Sequence, residues 1–186
     1  MFKEVVLTKR LELHHISADG LIQLFEEKSD QIAIANRDFI NPLHVLIAES
    51  GPLAWRVPQV KADPTTNKWF VRFIVESSSR IIIGSTSFHG KPDNDGMIEI
   101  GLGIEEPYRN QGYAKEALLG MWRWVCGYPE VKTLRYTVSP DNLASIAVIN
   151  HFGFTYQGQQ MDEIDGPENI YEMPTVEFQQ RWGSLS

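Results

Sequence analysis

The chain has 186 residues, of which 42% are hydrophobic and 22% charged, and its formal net charge is −7. That length can bury a sizeable core as one domain, and the acidic balance argues against nucleic acid, whose phosphates need a basic face. A lone cysteine, Cys126, excludes an intrachain disulfide, and no apolar run approaches the roughly 20 residues that span a bilayer.

Elements follow in chain order. Residues 8–16 alternate Leu11 and Leu13 with polar neighbours and read as a strand. Ser17 can cap a helix through Leu21, Ile22, Leu24 and Phe25. Residues 36–68 hold Pro42, Pro52, Pro58 and Pro64, which predicts loop with one short helix over 43–48. Strands are expected at 69–76, 81–88 and 97–104, joined by the turn formers at 77–79 and 90–96. Such short connections imply an antiparallel meander.

The period then changes. Ala114, Ala117, Leu118, Met121 and Val125 recur at three and four, which predicts a helix over 112–125 ended by Gly127. A strand at 133–138, a helix from a cap at Asp141 to Gly153, strands at 154–160 and 169–173, and a helix at 174–182 complete the chain. The order β-α-(α)-β-β-β-α-β-α-β-β describes an α/β (α+β) domain on one mixed sheet, taken as a single domain over residues 1–186. Trp122 and Trp124 cannot share a helix face, so at least one belongs to the core or a partner surface. Cys126 lies in an apolar stretch and reads as a small buried hydrophobe rather than a nucleophile. His14 and His15 point to opposite faces of their strand, and the five histidines have no metal-ligand spacing, so no metal is expected. Met1-Phe2-Lys3-Glu4 lacks a signal-peptide core, and cytoplasm is the expected compartment.

Chemistry concentrates in residues 97–114. Ile98, Ile100, Leu102 and Ile104 share one strand face, while Glu99, Gly101 and Gly103 share the other. Two interior glycines weaken a strand, so either a ligand or a packed element approaches there, and Glu99 is either a site carboxylate or a solvated one. Arg109-Asn110-Gln111-Gly112-Tyr113-Ala114 then opens a helix. The first amides of a helix have no internal partner and, with the helix dipole, favour an anion. Arg109 adds bidentate donors suited to phosphate. Downstream, Asn142 and Ser145 lie one turn apart at a helix start, where capping is an equally simple role.

Strand with Glu and Gly, then Pro107-Tyr108-Arg109-Asn110-Gln111-Gly112-Tyr113-Ala114, helix, strand, Asn142 and Ser145, and His151-Phe152-Gly153-Phe154 occur in one order. With these residues the chain resembles the GNAT superfamily of N-acetyltransferases, most closely the branch that acetylates ribosomal-protein N-termini. The specific match covers residues 97–154. The resemblance implies two central parallel strands, 97–104 and 133–138, that splay apart around the pantetheine of acetyl-CoA. It implies backbone pairing at Leu102, Gly103 and Ile104, pyrophosphate at Arg109 to Ala114, and Glu99 as base through water. Ser145 becomes the proton donor to the departing thiolate, and Asn142 positions the cosubstrate or a water. Many members carry a Tyr acid where this chain has Ile149, which raises Ser145. Tyr136 reads as a strand aromatic within the sheet. The expected acceptor is a primary amine, either a protein or peptide α-amine or a small molecule such as a polyamine, aminoglycoside or amino-acid derivative. A non-catalytic acyl-CoA-binding module is a third reading. Residues 17–68 and 163–169 should line the acceptor side. No nucleic acid or membrane is expected as partner, and the chain is expected to be a monomer or homodimer.

Overall fold

The apolar runs between Arg72 and Ile104 build the middle of a sheet. The computed structural model describes residues 1–49, 51–162 and 166–183. Here β1 (Val5–Leu7), β2 (Leu11–His15), β3 (Arg72–Glu76), β4 (Ile81–Phe88) and β5 (Met97–Ile104) are successive antiparallel neighbours. With β6 (Thr133–Val138), β7 (Thr155–Asp162) and β8 (Gly166–Pro174) they form one sheet in the order β1-β2-β3-β4-β5-β6-β8-β7.

One junction differs from the rest. β5 and β6 are parallel, and they pair only over Met97↔Thr133, Ile98↔Leu134 and Glu99↔Arg135. Beyond Glu99 each strand keeps a ladder on its outer side only. Leu102, Gly103 and Ile104 stay paired with Thr86, Ser85 and Gly84 of β4, and Tyr136, Thr137 and Val138 with Tyr171, Ile170 and Asn169 of β8. The sheet therefore forks at Glu99, as the resemblance implied.

Helices α1 (Ala18–Glu26) and α2 (Leu53–Ala62) pack on each other; α3 (Tyr113–Val125) lies against β1, β2 and β5; α4 (Leu143–Phe152) rests on β6 and α5 (Thr175–Trp182) on β8. Ser17 caps α1 as its sequence predicts, accepting from Gly20 N–H. Both α3 tryptophans are core residues on different sides. Trp122 is fully buried among Phe152, Phe154 and Phe178, whereas Trp124 packs with Trp69, Phe88 and Tyr128. Cys126 is half-buried, and burial pushes its thiol up to about 12, which suits a packing role. Among the described residues no helix is long and apolar enough to cross a membrane.

Several sequence expectations need correction. Residues 8–16 are not one strand: Thr8 turns the chain, its Oγ1 hydrogen-bonded with Leu11, and β1 precedes it. The short helix falls over Leu53–Ala62, not 43–48. At 43–48 the side chain of Asn41 bonds both the N–H and carbonyl of Val45, and His44 and Leu46 take positive φ, so the backbone turns instead. α2 forms despite Pro58, because Leu53, Val57 and Val60 bury one stripe. Trp69 ends a 3-10 turn, Pro64–Trp69, rather than opening β3. Asn142, not Asp141, caps α4. Gly166-Pro167, a dipeptide that reads as a turn, instead begins β8, paired with Asp162 and Met161, and residues 163–165 before it lie outside the described residues.

Candidate functional site

A cavity of about 800 Å³ opens at the fork. Its wall includes Glu99, Gly101 to Ile104 and Arg109 from the β5 side, Thr137 from β6, and Ser85 to Ser87 with His89 from β4 and the residue after it. Residues from 43–49 and 51–56 close another side, and Gln160, Asp162 and Glu168 of β7 and β8 reach it as well.

Glu99 stands at the point where β5 and β6 part. Its side chain is 15% exposed, so it is not a simply solvated carboxylate. Thr137 Oγ1 donates to Glu99 Oε1 at 2.5 Å, and His89 Nδ1 lies 3.2 Å from the same oxygen. Burial alone would raise the carboxyl, but His89, Thr137 and the charge of Arg135 together hold it below the usual carboxylate range. Glu99 is thus an ionised acceptor inside the cavity. His89, 45% exposed, leads from it toward solvent.

The two glycines of β5 have different reasons. A Cβ on Gly101 would meet His89 Nε2 at 3.1 Å, so Gly101 makes room for that ring. A Cβ on Gly103 would meet nothing within 4 Å. The open face read from the sequence is therefore Gly103's, while Gly101's is covered. On the β6 side neither Leu102, Gly103 nor Ile104 has a strand partner. Thr86 Oγ1 donates to Gly101 O and Arg109 Nε donates to Ile104 O at 2.8 Å, which fixes the end of β5.

The start of α3 is shaped for an anion. A 3-10 turn, Glu106–Tyr108, leads to Asn110 and Gly112 in the left-handed region, at φ 59° and 82°. Gly112 is the N-cap and no side chain caps the first amides, so those of Tyr113 and Ala114 remain outward donors. The Tyr113 ring is buried, leaving its backbone as the group offered here. Arg109 stays exposed beside this turn, and the Gln111 side chain bonds Pro107 O. Arg10 was not legible as a neighbour. It reaches Gln111 O at 3.1 Å, stacks 4.3 Å over the Tyr113 ring, and is held by Glu116.

Asn142 and Ser145 lie apart from the cavity wall. Asn142 Oδ1 accepts from Ser145 N–H at 3.0 Å, the capping role. Ser145 is half-buried and its side chain lies close enough to the phenol of Tyr136, a buried residue on β6 beyond the fork, to influence it. Burial raises that phenol's pKa against the contrary effect of Ser145, so the pair is protonated at neutral pH. Ile149 is fully buried and belongs to the core. Sequence reasoning missed Arg56, His89, Thr137 and Arg10, none of which lies in a motif. Thr137 alone was accessible, through its alternation with Tyr136 on β6.

Comparison with known proteins bears on this geometry. Residues 10–155 match the model of the acetyltransferase (GNAT) domain. The chain is 35% identical over 81 residues to the uncharacterized N-acetyltransferase YjdG of Bacillus subtilis (strain 168), an overlap of 44% of this chain and 48% of YjdG, about half that relative's length. It is 28% identical over 154 residues to the SPbeta prophage-derived uncharacterized N-acetyltransferase YokL of the same strain, covering 81% of this chain and 79% of YokL. Among solved structures it resembles RimL, a ribosomal L7/L12 alpha-N-protein acetyltransferase in complex with coenzyme A. That likeness has a TM-score of 0.62 and 16% identity over 92% of this chain and 98% of RimL, and it concerns the fold.

Proposed function

The chain belongs to the GNAT family of acetyltransferases, and on that premise we propose that it moves the acetyl group of acetyl-CoA onto a primary amine, with a protein or peptide α-amine as the acceptor class. The observation that carries this reading is the fork between β5 and β6, with an ionised carboxylate at its base. The reading treats residues 1–186 as one catalytic domain with the cosubstrate site in 97–154, and cytoplasm as its compartment. The RimL likeness supports the α-amine.

The residues fit acetyl-CoA on two observations: the unpaired edge of β5 beside the open face at Gly103, and the uncapped start of α3. When bound, acetyl-CoA supplies an activated thioester. Leu102, Gly103 and Ile104 offer backbone groups along the fork to the pantetheine amides. Arg109, Asn110, Gln111, Gly112, Tyr113 and Ala114 hold the pyrophosphate, largely through N–H groups. An ammonium cannot attack, and an α-amine with pKa of about 7.7–8.0 loses its proton far more readily than a lysine. Glu99 takes that proton through water, and His89 passes it outward. Ser145 gives a proton to the leaving thiolate, with the Tyr136 phenol behind it, and Asn142 fixes the turn that carries Ser145.

The test is thiol release from acetyl-CoA with N-terminal peptides, lysine peptides, polyamines and aminoglycosides as acceptors. Turnover that depends on a free α-amine is the expected result. Turnover confined to small amines would move the acceptor class. Tight acetyl-CoA binding with no turnover would favour a non-catalytic acyl-CoA module, and no binding would sink the reading.

A further inference from the structure

Arg56 lines the same cavity as Glu99, and the acetyl-transfer reading gives it no task. It is only 6% exposed. Its Nε is buried without a hydrogen-bond partner, and among the described residues no oxygen accepts from its guanidinium. Phe70 lies under it, with Cζ 5.8 Å from the ring centre. The other deeply buried arginine is treated differently. Arg72, with no exposed surface, gives Nη1 to Glu4 O and Leu13 O and Nη2 to Lys3 O. Arg72 also has an unpartnered Nε, but its two Nη atoms tie it into the fold, whereas Arg56 is buried and cationic with the Phe70 ring under it and no hydrogen-bond acceptor among the described residues.

Burial draws Arg56 down to about 10, which leaves it charged at neutral pH. Glu99 lies within Coulombic range but forms no ion pair with it, and Glu99 Oε1 is occupied by Thr137 and His89. A buried charge without a partner is strongly unfavourable, so a ligand anion on Arg56 has much to gain. Of the proposed phosphate cradle only Arg109 reaches this cavity wall and the amides after it do not, so we assign the anion on Arg56 to the acceptor rather than to the pyrophosphate. A planar guanidinium pairs bidentately with a carboxylate or a phosphate. Against Arg56 and Arg109 the wall carries six carboxylates, those of Glu49, Glu99, Glu105, Glu106, Asp162 and Glu168, a setting that penalises a dianion and favours a monoanion joined to an ammonium.

We propose that the acceptor is an amine that also bears a carboxylate, which Arg56 binds while the amine is presented to Glu99. The proposal rests on the acetyl-transfer reading. Two matched pairs test it, and the pair that responds names the source of the carboxylate. One is a set of free α-amino acids against their amides. The other is a set of peptides with an acidic residue beside a free N-terminus against the same peptides with Asn or Gln there. Thiol release is measured in the wild type, Arg56→Lys and Arg56→Met, and acetyl-CoA affinity is measured separately by calorimetry.

In the wild type the carboxylate member of at least one pair is expected to lead in kcat/KM by about tenfold or more. Arg56→Met abolishes that lead by raising KM for the carboxylate member, and Arg56→Lys keeps part of it. Acetyl-CoA affinity holds in both variants. Arg56→Met should melt no lower than the wild type, because it removes an unpartnered buried charge. Carboxylate acceptors should raise the melting temperature of the wild type and not of Arg56→Met. Three results overturn the proposal: no lead in either pair, a lead that persists in Arg56→Met, or acetyl-CoA affinity lost in that variant. Failure of wild-type acetyl-CoA binding is read in the calorimeter alone and removes the acetyl-transfer reading first.

Discussion

Two walls of the cavity are built on different principles. The β5 side and the start of α3 come from one continuous segment, 97–114, and offer mainly backbone: the strand edge past Glu99 and the uncapped amides after Gly112. The opposite side is assembled from residues within 43–49 and 51–56, the end of β4 with His89, and β7 with β8, and it offers side chains such as Arg56, His89 and Glu168. On the proposed reading, a cosubstrate of fixed shape would be met by fixed backbone. The proposed acceptor would instead meet side chains from scattered segments, where one substitution can alter recognition without disturbing the sheet.

Glu99 is where the two walls meet, and its removal should have the largest effect. Glu99→Gln keeps the shape and the bond from Thr137 but loses the proton acceptor; kcat should fall on the order of 10²-fold or more. Because the carboxyl is held low in the fold, Glu99 stays ionised in mild acid. The acid limb of kcat/KM should therefore follow the acceptor's amine and move when an α-amine is exchanged for a lysine. An unchanged kcat in Glu99→Gln would make Glu99 a structural partner of His89 and Thr137 and leave proton removal to solvent.

Two facing glycines sharpen the contrast between a site and its scaffold. A Cβ on Gly84 would lie 2.1 Å from Gly103 O, so Gly84→Ala should destabilise the fold by about 1–3 kcal/mol in urea titrations. Gly103 faces open space. Gly103→Val should melt near the wild type yet weaken acetyl-CoA by roughly tenfold, about 1.4 kcal/mol. Equal acetyl-CoA affinity in Gly103→Val would mean that the fork does not hold the pantetheine.

Much of the proposed cosubstrate side was legible because its requirements fall on neighbouring residues. The glycines of β5, the opening of α3 and the strand β6 can each be read from spacing, and the fork was expected only through the family resemblance that their order carries. Asn142 was legible at a helix start, and only the structure assigns it the cap. The opposite wall was not legible. His89 follows a strand in a turn-rich stretch and gains meaning only from Glu99, ten residues away on the next strand. Arg56 lies on a helix whose two prolines, at 52 and 58, read as loop. The packing of Leu53, Val57 and Val60 overrides that local signal, and the guanidinium comes with the helix.

Ser145 gives a smaller effect, because a thiolate is a good leaving group and solvent can replace a lost donor. Ser145→Ala should lower kcat by about tenfold, with KM for acetyl-CoA unchanged. Tyr136→Phe should lower it less, since it removes only the group behind the serine. A larger effect of Tyr136→Phe than of Ser145→Ala would reverse their order in the proton path.

The smallest effect tests how the backbone wall is held. Glu116, in the first turn of α3, accepts from Thr8 Oγ1 at 2.7 Å, Arg10 N–H at 2.6 Å and Arg10 Nε at 2.7 Å, which ties the β1–β2 turn to the start of α3, the proposed phosphate cradle. Burial would raise its carboxyl, but these three bonds hold it below the usual range. A carboxyl lowered in the fold contributes stability above its unfolded pKa of about 4.3 and loses it as pH falls through the folded value. Glu116→Gln should therefore cost about 1 kcal/mol at pH 7, a figure discounted for the solvent around half-exposed Arg10. The difference from wild type should vanish in strong acid. Acetyl-CoA affinity should fall only a few-fold, about 0.5–1 kcal/mol, as Arg10 loses its anchor beside Gln111 and Gly112. If Arg10→Gln weakens acetyl-CoA while Glu116→Gln does not, Arg10 contributes its charge to the pyrophosphate directly. If both weaken it alike, Arg10 acts through the shape of the turn.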